Sequence, residues 1–384
     1  MKVAKIELYE VSIPLPQAFC PAWIPGYQRK YNRSTLIKIT ADNGLIGYST
    51  GSHLGEAYGG PSSLLGQYMI GRKVKRMDEI RHLLREGSFL SWQNNSMEPA
   101  FWDLLGKKEG KPVHELLGGD GGRLQVYCST GELHEPEVRA EEVQAIKEMG
   151  FKSVKLRVHD HDINKDIEQI KVVRKAVGDG MEIGVDANQG WPVTIAKSSP
   201  IWGLKRAIEF ARACEEYNIA WLEEPLDMYA FDEMAELRRR TKTPIAGGEL
   251  TSGWHEHKML FEKDSLDIYQ PDSLYTGIGT AVKIMKEAAK RNLGFSPHTW
   301  FDGIGFAINL QVAAASHDRR ALEYPFDPPA WVPEFRDFLL KEPFMVDSDG
   351  YVTVPDKPGL GFEIDEQALR QYGCKYYEMD KNKI

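Results

Sequence analysis

Long apolar runs are missing from this 384-residue sequence: no stretch of 18 or more apolar residues occurs, which excludes an obvious membrane helix. Cysteine is scarce. Cys20, Cys128, Cys214 and Cys374 lie far apart without metal-type spacing, and reduced thiols in a cytosolic protein are the expected state. There is no long basic block and the formal charge is −8, so nucleic acid is not an expected partner. An acidic small molecule is still admissible, because one pocket can be basic on an acidic protein. The opening MKVAKIELYEVSIPL lacks the apolar stretch and cleavage site of a signal peptide, and a cytoplasmic location is expected.

What is present is strongly patterned. With 42% apolar residues the chain can bury a large core, and its length exceeds one ordinary domain. Residues 2–15 and 33–50 read as strands, the second carrying the hairpin sequence Asp42-Asn43-Gly44. Helical spacing follows from about 62 to 117, and glycines at 118, 119, 121 and 122 mark a boundary. From about 124 to 325, strand-like LQVYCST, SVKLR, EIGVDAN, IAWLEEP, PIAGGE, DIYQPD, GFSPH and ALEYP alternate with helical pieces. One helix is marked by the stripe Ile163, Ile167, Ile170, Val173 and Val177. Eight strands alternating with helices predict an α/β fold with a closed (β/α)₈-type barrel. An open doubly wound sheet would want a glycine-rich phosphate loop after its first strand, and none is visible. The expected division is 1–122, 123–340 and a C-terminal segment 341–384, whose strand-like YVTVPDKPGLGFEID is expected to pack back on the N-terminal domain.

Almost every barrel strand ends in an ionisable residue: Lys155 with Arg157, Asp186, Glu223 with Glu224, Glu249, Asp272, His298 and Glu323. The steps are 31, 37, 26, 23, 26 and 25 residues, close to one βα unit each. Strand C-termini converge on one mouth of a barrel, so these side chains are expected to meet. Solvated loop starts would account for two or three of them, but hardly for a run over seven strands. Crowded together, Asp186, Glu223 and Glu249 would repel unless a cation held them, and oxygen-only ligands suit Mg²⁺. Asp272 and His298 supply a carboxylate that can orient an acid/base imidazole. Glu323 can donate a hydrogen bond if its pocket keeps it protonated. Lys155 and Arg157, two apart on a strand, share a face.

These residues in this order, with FWDLLGKKEGKPVHELLGG and PDKPGLGFEID, resemble the enolase superfamily in its mandelate racemase subgroup over nearly the whole length. The resemblance implies a barrel covered by an α+β capping domain that the C-terminal segment completes. It implies one Mg²⁺ per active site on Asp186, Glu223 and Glu249, with Glu224 behind them. It also implies a His298–Asp272 dyad, Glu323 as electrophile, Asn188 touching a substrate hydroxyl, and a homo-oligomer. The reaction implied is abstraction of a proton α to a carboxylate, most often dehydration of an acid sugar (aldonate or aldarate) to a 2-keto-3-deoxy acid by a hydro-lyase. A dianionic ene-diolate forms in such chemistry, and metal, ammonium and guanidinium stabilise it. That makes Lys155 and Arg157 side by side tolerable. Racemisation or epimerisation, cycloisomerisation of a sugar-acid lactone, and a non-catalytic sugar-acid-binding barrel are the alternatives.

Two features depart from the pattern. Similar racemases carry a second basic lysine where Arg157 stands, and arginine, effectively always protonated, is a poor base. One base, His298, then does both jobs, which requires a syn elimination. The 37-residue step places an insertion, WPVTIAKSSPIW (191–202), at the active-site face, either lining the pocket, meeting a neighbouring subunit or forming a longer loop. HDHD at 159–162 reads as a loop with Asp162 as helix N-cap in preference to a second metal site. The stretches 19–30 and 52–60 match two specificity loops of similar proteins. Trp23, Tyr27, Arg29, His53 and Tyr58 are therefore candidate substrate contacts, although each alone could be packing. Trp300 and Phe301 either wall the pocket or pack.

Overall fold

Alternating side chains commit the first fifty residues to an antiparallel sheet. The computed structural model describes residues 1–51, 63–89, 94–318 and 320–382. In it β1 (Val3–Phe19) pairs with β2 (Arg29–Ala41), and β2 with β3 (Ile46–Gly51) across the Asp42-Asn43-Gly44 turn. Ile6, Leu8, Ile37 and Ile39 are buried in one core with Ile80 and Leu84 of helix Met77–Gly87 and Phe101 and Leu104 of helix Glu98–Glu109.

The βα rhythm then yields eight parallel strands. They are β4 (Arg123–Ser129), β5 (Ser153–Arg157), β6 (Glu182–Asp186), β7 (Trp221–Glu223), β8 (Ile245–Gly247), β9 (Ile268–Tyr269), β10 (Gly294–Phe295) and β11 (Leu322–Pro325). Pairing follows chain order from β4 to β10, and β11 lies back on β4. No backbone ladder joins β10 to β11 among the described residues. The seam is stitched by Ser296 Oγ donating to the Ala321 carbonyl (2.9 Å) and Thr299 Oγ1 to the Glu323 carbonyl (2.5 Å). The fold is the expected capped barrel. Helix Ile163–Val177 shows how the sequence places its layers. Its Asp162 cap accepts from the Asn164 N–H, and Ile170, Val173 and Val177 are buried against the sheet. No described helix is long and apolar enough to cross a membrane.

The tail differs in part from the sequence reading. Of residues 351–365 only β12 (Tyr351–Thr353) is a strand, and it pairs antiparallel with β4 of the barrel. Val352 and Val354 share the barrel core with Leu124 and Val126, so burial draws this piece there. The strand that joins the N-terminal sheet is β13 (Gly373–Asp380), which runs antiparallel to β1 with Lys5 opposite Asp380.

Asp103 ties the intervening residues to the N-terminal unit. Its buried carboxylate accepts from the Tyr48 N–H (2.9 Å), the Leu360 N–H (2.8 Å) and Lys107 Nζ (2.7 Å). The preceding residue must be glycine, because a Cβ on Gly359 would lie 2.1 Å from Asp103 Oδ1. Asp103→Ala leaves two buried N–H groups and an ammonium without their acceptor. A loss of about 3 kcal/mol or more is expected, read as a lowered urea midpoint. A midpoint unchanged from wild type would show that this tie is dispensable.

Candidate active site

Register brings the strand ends to one level: Arg157 lies opposite Asp186, and Asp186 opposite Glu223. With Glu249 just beyond β8, three carboxylates from consecutive strands offer oxygens within 4.8 Å of one another, and all three residues are buried. Their other contacts aim them. Trp221 Nε1 (3.1 Å) and Gln270 Nε2 (2.8 Å) donate to Glu223 Oε2, Trp191 Nε1 (2.8 Å) to Glu249 Oε1, and the Asn188 N–H (2.7 Å) to Asp186 Oδ1. Converging carboxylate oxygens, each oriented by a neutral or backbone donor, fit a hard divalent cation. Glu224 lies behind them, buried, its carboxyl pushed well above the usual range by burial and then by Glu249, Asp186 and Glu223. Gly190 makes room for it, since a Cβ there would meet Glu224 Oε1 at 2.2 Å.

The two cations of β5 are fully committed. Lys155 Nζ sits 2.6 Å from Glu223 Oε1, 2.7 Å from Glu323 Oε1 and 3.7 Å from Asp186 Oδ2. Burial alone would lower this ammonium's pKa, but Glu223 and Glu323 outweigh it and raise it well above the ordinary lysine value. Arg157 Nη1 pairs with Asp186, its Nε donates to the Thr130 carbonyl (2.7 Å), and its Nη2 reaches Ser129 Oγ (3.2 Å). Its guanidinium also lies over the rings of Trp23 (5.1 Å) and Trp300 (5.2 Å).

Opposite them stands the dyad. His298 Nδ1 is 2.9 Å from Asp272 Oδ2, and its Nε2 is 3.3 Å from Glu249 Oε2. Asp272 caps the turn Ser273–Thr276 through the Leu274 N–H (2.8 Å), which fixes the carboxylate that fixes the ring. Burial opposes charge on the imidazole, but Glu249, Glu323 and Asp272 outweigh it and raise His298 to about 10 with no cation on the triad. A divalent ion held by Glu249 would offset the largest of these three and free the ring to act as a base.

Glu323 is surrounded by donors. Its Oε1 accepts from Ser129 Oγ (2.7 Å) and Lys155, and its Oε2 from the Thr299 N–H (2.9 Å). Burial would raise the carboxyl, yet Lys155, His298 and Arg157 together hold it well below the usual carboxylate range. In this arrangement it anchors Lys155 as an acceptor, and the hydrogen bond to substrate expected from the sequence would require it to take up a proton.

A cavity of about 780 Å³ opens above the site. Trp23, Tyr27, Arg29, Arg157, Asn188, Glu249, His298, Trp300 and Phe301, all singled out in the sequence, line it. Lys155, Asp186, Glu223, Asp272 and Glu323 are buried and are not among its lining residues. His53 and Tyr58 fall outside the described residues. The insertion does line the pocket through Trp191, and its Ala196–Lys197 backs onto Gly26 of the 19–30 stretch. Its Ile195 is 93% exposed.

Family comparison agrees with this geometry. The pattern described as "Mandelate racemase / muconate lactonizing enzyme, N-terminal domain" matches residues 7–118, and "Enolase C-terminal domain-like" matches 137–368. The chain belongs to the enolase superfamily, in its mandelate racemase subgroup. Similar members include an arabinonate dehydratase of Saccharolobus solfataricus, 32% identical over 73% of this chain and 72% of that protein. Another is an L-talarate/galactarate dehydratase of Salmonella typhimurium, 34% identical over 72% and 65% of the two chains. The solved structure of a putative mandelate racemase from Bordetella bronchiseptica superposes with a TM-score of 0.86 at 26% identity, covering 98% of this chain and 99% of that one. An N-succinyl-L-Arg/Lys racemase of Bacillus cereus, 25% identical over 97% of this chain and 98% of its own, shows that the superfamily fold serves other reactions too.

Several site residues of this superfamily member escaped the sequence reading. Asn309 donates to Asp272 Oδ1 (3.0 Å) and to the His298 carbonyl (2.9 Å), bracing the dyad. Its signal was available: Asn309 and Gln311 are amides in the otherwise apolar helix Gly303–Ala314, fully buried, and a buried amide needs partners. Asp302 joins barrel to cap, accepting from Ser34 Oγ (2.6 Å) and Thr50 Oγ1 (2.7 Å) while capping that helix.

Proposed function

We propose that this protein is a Mg²⁺-dependent hydro-lyase that removes water from an acid sugar, using His298 as the single base and then the acid. One asymmetry carries the reading. His298 lines the cavity, whereas Lys155 is buried between Glu223 and Glu323 outside its lining, and Arg157 is spent on Asp186. A racemase of this type needs a competent base on each face of the α-carbon, and only one face offers it.

Asp186, Glu223 and Glu249 would hold the Mg²⁺, which when bound would supply positive charge to the substrate carboxylate as its negative charge grows. His298 Nε2 takes the α-proton while Asp272 holds Nδ1–H and stabilises the imidazolium. The electron pair of the broken C–H bond moves toward the carboxylate, with Lys155 and Arg157 as fixed positive charge behind it. The β-carbon–oxygen bond then breaks, and His298 returns its proton to the departing hydroxide. Water and an enol result, and the enol becomes the 2-keto-3-deoxy acid. Proton and hydroxide leave from the same side. Asn188, on the cavity wall, takes a substrate hydroxyl.

An acid-sugar panel with Mg²⁺ should give a keto acid from at least one member. In D₂O, unreacted substrate should keep its α-configuration by NMR. Accumulation of the inverted α-epimer would replace this reading with racemisation. A lactone cycloisomerase is the second reading, favoured by a D-galactarolactone cycloisomerase of Agrobacterium fabrum that is 28% identical over 88% of this chain. It would consume lactone without releasing water.

A further inference from the structure

The cations of the inner site are each paired with carboxylates, and those of the outer cavity are not all so paired. Lys155 and Arg157 are paired with carboxylates, and Arg33 reaches Glu10 at 3.3 Å. Arg29 and Lys30 also line the cavity, and none of the described carboxylates lies within ion-pair distance of either; Lys30 is exposed to solvent, whereas Arg29 is half-buried. The carboxylates of the cavity wall are spoken for: Glu249 belongs to the triad, and Asp302 is filled by Ser34, Thr50 and its helix N–H groups.

Arg29 is held in place. It opens β2 opposite Phe19 of β1, and its guanidinium carbon lies 5.6 Å over the Trp331 ring. Trp331 stacks on Trp300 (5.9 Å), and Phe19 packs against both. Trp300 in turn carries Arg157 on its ring. One guanidinium therefore lies over each indole of the stacked pair, Arg157 neutralised and Arg29 not. Stacking occupies the faces of a guanidinium and leaves its edge N–H groups for a planar, two-oxygen acceptor. A half-buried cation without a partner costs stability, and a bound carboxylate would remove that cost.

We propose that the substrate is an acid sugar with a carboxylate at each end, an aldarate, whose distal carboxylate is received by Arg29. This rests on the acid-sugar reading above and narrows it: an aldonate presents only a hydroxymethyl group to the guanidinium.

The test measures kcat/KM of the Mg²⁺-loaded enzyme on stereochemically matched hexarates and hexonates. Calorimetric binding to the inactive His298→Asn variant accompanies it. At least one hexarate should be preferred by ~10-fold or more over its hexonate, the scale of one charged hydrogen-bonding pair. Arg29→Gln should lower hexarate kcat/KM by ~10²-fold and bring the ratio toward one, and Arg29→Lys should recover part of the loss. Preference for hexonates, or a loss at Arg29→Gln equal for both classes, overturns the proposal. If the preferred substrates are hexonates, the diacid assignment falls and the dehydratase reading stands. Hexarates bound through Arg29 but never converted to keto acid leave the diacid site standing and remove the dehydratase reading. If neither class binds or reacts, both fall. Should Arg29→Gln fail to fold, the wild-type preference alone still decides.

Discussion

His298→Asn is expected to lower kcat by ~10²–10⁴-fold, the range for loss of a general acid/base group, with KM little changed. Asparagine keeps a polar side chain of similar reach beside Asp272 and has no group that takes a proton at neutral pH. The ring it replaces is aligned from two sides, by Asp272 at 2.9 Å and by Asn309 on its own carbonyl. Asp272→Asn should also lose activity, because an amide neither selects the tautomer nor stabilises the imidazolium. Wild-type turnover by His298→Asn would move the search for the base to Lys155. That side chain would first have to leave two carboxylates less than 3 Å away.

Exhaustive chelation is expected to cost ~10³-fold or more in activity, because metal charge contributes several kcal/mol to stabilising a developing oxyanion. Added Mg²⁺ should restore it. Glu223→Gln and Glu249→Gln should remain folded and nearly inactive, with lowered metal content. The glutamate side chains are buried beside one another, so loss of one charge leaves Lys155 or the dyad partly uncompensated while the shape is kept. Full activity after metal has been shown to be absent would remove the triad from the chemistry.

The barrel was legible because its signal is periodic. Seven strand ends at nearly even spacing need only the rule that parallel strands end at one mouth. The triad followed from residue type and order. The charge state of Glu323 was hidden, because it depends on where the Lys155 ammonium ends after folding, 2.7 Å from one of its oxygens. Trp191 was hidden for a related reason, since it acts on a partner 58 residues away on another element. Asn309 announced that it needed partners, as an amide in an apolar helix, but not that they were Asp272 and the His298 carbonyl. The tail was only partly legible. Val352 and Val354 have the alternation of a strand, and alternation does not say which sheet a strand will join.

The pairing of β1 with β13 also sets an order of events. One partner begins at residue 3 and the other ends at residue 380, so the four-stranded sheet is among the most non-local structures a chain of this length can make. On a ribosome, β1, β2 and β3 emerge first and wait, one long edge open, while the barrel strands are made and pair with near neighbours. Local contacts form early and distant ones late, so the barrel should gain protection from hydrogen exchange before the β13-facing amides of β1 do. During that interval the exposed edge of β1 is the stretch of the nascent protein most in need of a chaperone.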